Sequence, residues 1–112
     1  MLKLTYHGHS CFELEADGKR IIVDPFLTGN THAKVAPEDI RVDAVLVSHG
    51  HGDHVGDAIA IAQANSCLVV SNFEVANWLG AKGVQTHPMH IGGSHQFPWG
   101  RVKLTPALHG SQ

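Results

Sequence analysis

Apolar and polar positions alternate in the first part of the chain and run together further on. From Lys3 to Ala16 the strand formers Leu4, Tyr6, Cys11, Phe12 and Leu14 predict an extended segment, with Gly8 marking a bend or bulge. Asp17-Gly18 is the dipeptide that two-residue hairpins favour, so the chain is expected to turn there. "RIIVDPFL" is the return strand. It ends at Asp24-Pro25, because proline lacks the amide hydrogen that a ladder needs. Residues 28–40, "TGNTHAKVAPEDI", are polar and turn-rich and predict a loop with one helical turn at "PEDI".

The pattern then changes. "VDAVLVS" is a near-continuous apolar run, as a strand buried on both faces requires. "GDAIAIAQAN" reads as a helix with Asp57 as its N-cap, and "CLVVS" as a second buried strand. "NFEVANWLGAKG" predicts another helix, capped by Asn72, with Phe73, Val75, Trp78 and Leu79 in the core. Residues 84–100 look irregular, with short extended pieces. "GRVKLTPAL" is a last strand, with His109 just past its end. Strands alternating with helices imply parallel pairing through crossovers, in an α/β (α+β) fold. No repeat or linker divides residues 1–112, so a single domain is expected. Folds of this kind bind ligands at the carboxyl ends of strands. Asp24, the residues after "VDAVLVS" and His109 would meet on that rim.

Composition sharpens this picture in one respect. Ten histidines outnumber the eight lysines and arginines together, and they are scattered along the chain. Imidazole binds transition metals and titrates near neutral pH, so the excess points to metal chemistry. No Lys/Arg block argues for a nucleic-acid groove, and no apolar run is long enough to span a bilayer. No secretory signal is evident. Cys11 and Cys67 are isolated, which predicts reduced thiols in a cytoplasmic setting.

The histidines concentrate in "VSHGHGDHVGD", where His49, His51, Asp53 and His54 spell H-x-H-x-D-H. Alternate residues of an extended loop point the same way, so His49 and His51 can reach one ion. Asp53 and His54 lie where the chain turns into a helix and can reach a second. Gly50 and Gly52 keep bulk out of the loop. Mixed imidazole and carboxylate donors suit zinc, manganese, iron or nickel better than magnesium or calcium.

This stretch resembles the signature of the metallo-β-lactamase fold superfamily. "YHGHSCF", "IIVDPFLTGN", "THPMHIGGSH" and "LTPALHGS" narrow the resemblance to a broadly distributed bacterial and archaeal group of metal-dependent hydrolases, akin to the ascorbate-phosphate lactonases. The resemblance runs from Leu2 to Ser111. It implies the N-terminal half of an αββα sandwich, a mixed sheet with helices on one face. It also implies a first metal on His49, His51 and His109 and a second on Asp53 and His54. In such hydrolases a metal-activated water cleaves an ester, lactone or phosphodiester bond, and Asp53 would also orient that water. A bridging aspartate and one further histidine would come from a C-terminal half or a complementary chain. The alternative is a metal-binding half-domain without catalysis, or one subunit of a split enzyme.

The remaining candidates divide. Asp24 is expected to orient the metal loop through hydrogen bonds. His9 is read either as facing the site or as structural, and His7 more as structural. One of His87, His90 and His95 lines the substrate pocket or packs a loop, His90 being the pocket candidate. His32 is an ordinary loop residue. A half-sandwich leaves an apolar sheet face bare, which predicts a homo-oligomer or a complementary partner.

Overall fold

In the computed structural model, which describes residues 1–109, six strands form one mixed sheet in sequential order. Strands β1 (Lys3–Gly8), β2 (Cys11–Ala16) and β3 (Lys19–Val23) are antiparallel neighbours. β4 (Ala44–Leu46), β5 (Leu68–Asn72) and β6 (Thr86–Met89) follow in parallel. The β3–β4 crossover contains a single 3-10 turn, Pro37–Asp39, at the expected place. Helices α1 (Gly52–Val55) and α2 (Ala58–Asn65) connect β4 to β5, and α3 (Phe73–Ala81) connects β5 to β6. The described part of the resembling stretch "LTPALHGS" stops at His109; its Gly110 and Ser111 lie outside the described residues. Among the described residues no helix is long and apolar enough to cross a membrane.

The local reasons are legible at several points. Asp17 and Gly18 both have positive φ, 52° and 76°, as a tight hairpin turn between paired Ala16 and Lys19 demands. The Asn72 side chain accepts a hydrogen bond from the Val75 amide and caps α3. Ile22, Val45 and Val69 stand in register across three strands and are fully buried. They join Ile61, Val75 and Leu79 of the helices in one core cluster. Burial of each such side chain contributes about 1.5–3 kcal/mol.

The other face is only half covered. Its rows run Leu4, Leu14, Ile21, Ala44, Leu68 and Tyr6, Phe12, Val23, Leu46, Val70. A hairpin of β7 (Ser94–Phe97) and β8 (Gly100–Lys103) packs Phe97, Trp99 and Val102 over the Leu46–Leu68–Val70 end. At the other end Leu4 and Tyr6 are 57% and 60% exposed, so an apolar strip stays bare, as expected of a half-sandwich.

Four expectations need correction. Residues 3–16 form a hairpin instead of one extended segment, with the chain reversing between paired Gly8 and Cys11. Asp57 sits at the start of α2 but does not cap it. Its carboxylate instead accepts from the Leu27 and Thr28 amides and the Thr28 hydroxyl, which lie after β3. Phe73 and Trp78 are not core: they are 39% and 51% exposed, because the buried stripe of α3 is Val75, Ala76 and Leu79. The last strand ends at Lys103, and His109 comes back to the rim along a segment without strand structure.

Candidate metal centre

The centre is built on the carboxyl ends of β3 and β4, one hairpin turn and the segment that follows β8. β4 delivers Ser48 to His51 directly from the core, and α1 carries Asp53 and His54 in its single turn. α1 is pinned from below. Gly56 closes it with φ of 47°, and a Cβ there would lie 2.5 Å from both Phe26 Cα and Pro25 O. Only glycine permits that approach. The Asp57 amide also donates to Pro25 O at 2.9 Å. The "DPFLT" and "VGD" stretches are thereby locked together.

Asp24 organises the donors. It is buried, with φ of 47°, and its carboxylate accepts from the Ser48 amide at 2.7 Å, the Ser48 hydroxyl at 2.6 Å and His54 Nδ1 at 2.7 Å. These contacts settle two tautomers. The single Ser48 hydroxyl hydrogen goes to Asp24, so Ser48 Oγ accepts from His49 Nδ1 at 2.8 Å. His49 and His54 therefore both carry their proton on Nδ1 and keep the Nε2 lone pair free, the arrangement metal-ligating histidines take beside a carboxylate.

His49 Nε2 is the buried side-chain nitrogen left without a hydrogen-bond partner among the described residues. Such a loss is costly unless something else fills the lone pair. Its ring lies 4.8 Å from those of His51 and His109, and His51 Nδ1 faces His109 Nε2 at 3.1 Å. Burial, then the nearby His54 and His109, push the His49 pKa down, while Asp24 opposes them. A His49 imidazole that resists protonation keeps its lone pair available to a cation.

One donor atom from each of His49, His51 and His109 lies within 4.8 Å of the others, and the same holds for His9, Asp53 and His54. The donor types and spacings fit one or two divalent transition-metal ions. The four motif residues and His109, which the resemblance added, are thus brought together, with Asp24 beneath them. His9 is site-facing: its Nε2 lies 3.2 Å from Asp53 Oδ2. His7 is structural, buried and 2.6 Å from Glu13. His87 and His95 pack with Phe97 in the β7–β8 layer, and His32 is exposed in its loop. His90 stacks on Phe73 and, with Trp78, Met89 and Ile91, lines a hollow of about 1000 Å³ that opens beside Gly50. Phe73 and Trp78 were the residues that the sequence reading missed here. Their signal was two large aromatics on a short helix whose other apolar residues already fill the sheet contact.

Cys11 and Cys67 are both buried free thiols. Burial first, then the charges of Glu13, Asp24 and Asp57, push Cys11 up to about 12, so it offers no thiolate to the centre.

The chain matches known proteins over nearly all of its length. The family description "Beta-lactamase superfamily domain" fits residues 3–102. A UPF0173 metal-dependent hydrolase of Bacillus mycoides is 57% identical over 99% of this chain and 49% of its own length. One from Bacillus cereus is 58% identical over 98% and 48%. Among solved structures, Igni18, described as a novel metallo hydrolase from Ignicoccus hospitalis, superposes with a TM-score of 0.90 at 37% identity, covering 98% of this chain and 50% of that one. The chain spans about half the length of the curated relatives that it matches.

Proposed function

This chain belongs to the beta-lactamase superfamily, and from that premise we propose that it is the metal-binding half of a hydrolase that cleaves an ester, lactone or phosphodiester bond in a small molecule. The observation that carries the reading is the free, buried Nε2 of His49, on a ring 4.8 Å from those of His51 and His109. The relatives' names, metal-dependent hydrolases, support it. Zinc is the proposed ion, with manganese, iron and nickel as the ions that the same donors would accept.

A divalent cation, when bound, supplies a polarised substrate oxygen and a water acidic enough to attack near neutral pH. The chain's own residues do the rest. His49, His51 and His109 would hold the first ion; Asp53 and His54 would contribute to the second. Asp24 keeps the His49 and His54 lone pairs aimed, and Asp53, exposed at the rim, would accept a hydrogen bond from the attacking water. The hollow beside Gly50 would seat an apolar part of the substrate against Phe73 and Trp78. His90 would line it.

The bare strip at Leu4 and Tyr6 supports a second half, a complementary chain or another copy as its cover, and that layer would bring the bridging carboxylate and the further histidine. A metal-binding half without turnover is the second reading, favoured by the sheet face left uncovered at Leu4 and Tyr6. The test is elemental analysis of purified protein with His49→Ala and His51→Ala together. The ion of the His49–His51–His109 group is expected to be lost with both replaced, which lowers the metal content per chain. Unchanged metal content would sink the assignment. Turnover of a lactone or phosphodiester panel by this chain alone would separate the two readings.

A further inference from the structure

The hairpin turn at His9 is more strained, and more firmly held, than reversing two strands requires. Only His9 and Ser10 separate the paired Gly8 and Cys11, and His9 adopts φ of 56°. Residues other than glycine are uncommon in that region, and one held there carries a strain that its surroundings must enforce. Here they do. Asn30 Nδ2 donates to the His7 and Gly8 carbonyls, and the Tyr6 hydroxyl donates to the His9 carbonyl at 2.9 Å. A Cβ on Gly8 would come within 2.6 Å of His32 Cβ, so the chain passes this point with no slack. The His9 ring is braced edge-on by Phe26 at 5.6 Å and by His54 at 5.1 Å.

What the ring reaches is Asp53, with Nε2 3.2 Å from Oδ2, on side chains 38% and 49% exposed. An exposed ion pair of that kind is worth too little to explain an enforced turn. One donor atom from each of His9, Asp53 and His54 lies within 4.8 Å of the other two, and none of these residues belongs to the His49–His51–His109 group. We propose that His9 is the third protein ligand of the second ion, so that this chain holds two cations on two disjoint triads of its own residues. The proposal rests on the reading of the cluster as a metal centre. In it a divalent cation would be held by His9, by the Asp53 carboxylate beside it, and by the His54 Nε2 that Asp24 keeps free.

The experiment is a titration of this chain with Co²⁺, followed by visible absorption and by elemental analysis after desalting, on wild type, His9→Gly and His9→Asp. Glycine suits the turn, so His9→Gly should melt, metal-free, at or above the wild-type temperature, which excludes misfolding as the cause of any loss. Expected are two ions per wild-type chain and one in His9→Gly. The second-site affinity should fall by at least the roughly 10–100-fold that loss of a mere outer hydrogen-bond partner costs. His9→Asp, which tolerates the turn and brings a carboxylate donor, should recover the second ion. Two ions held equally tightly by His9→Gly, or a single ion in wild type, would overturn the role of His9. No ion in wild type would overturn the metal centre itself, a distinguishable failure.

Discussion

The two donor triads differ in how their histidines are held. His49 and His54, one in each triad, are fixed from behind by the same buried carboxylate, His54 directly and His49 through Ser48. The outer members are held otherwise. His51 and His109 face each other across 3.1 Å, with His109 on a segment free of strand structure. His9 and Asp53 meet at an exposed rim. The lesson is that one residue on each side is preorganised by the core, and the others close around the ion. Asp24 is the joint between them, and its place is secured by the Leu46 carbonyl, which accepts its amide hydrogen at 2.8 Å.

The sharpest way to break this comparison is Asp24→Asn. The amide can no longer accept from three donors, so both imidazoles lose their fixed tautomer. Metal affinity should drop by about 10–100-fold at both sites, measured by competition with a chromogenic chelator. A drop at one site alone would show that the two triads do not share Asp24 as their support.

A smaller effect separates the triads by pH. Burial lowers the His49 pKa in the folded chain, so the unfolded chain takes up its proton first as pH falls. Its contribution to the stability of the metal-free protein is therefore complete above about pH 6.5 and lost as pH drops through the lower folded value. The slope is at most about 1.4 kcal/mol per pH unit for one group. Denaturant unfolding between pH 7.5 and 5.5 should show this loss, and His49→Asn should flatten it. An equal slope in the variant would assign the loss to other groups.

Much of this was readable from the chain because the information was local. "VDAVLVS" declared a buried strand, Asp17-Gly18 the turn between β2 and β3, Asn72 the cap of α3, and H-x-H-x-D-H the donors. What escaped the sequence was long-range. The reversal at His9 carries no turn dipeptide and is fastened by Asn30, more than twenty residues away. Asp57 looked like a helix cap, but Thr28 and Leu27 capture its carboxylate from another loop. Trp78 was read into the core from its hydrophobicity alone; its position on α3 points it away from the Val75–Leu79 stripe and towards the hollow beside Gly50. Such choices are made by tertiary partners that a local pattern does not contain.

The claim beneath all of this is that histidine and aspartate side chains of this chain hold the metal, with both cysteines left out. X-ray absorption at the zinc edge of the zinc-loaded chain tests it most directly. The account predicts a first shell of nitrogen and oxygen only, near the roughly 2.0–2.1 Å typical of zinc on imidazole, with the outer scattering of several imidazole rings. A sulfur neighbour near roughly 2.3 Å, or a shell without imidazole, would contradict it.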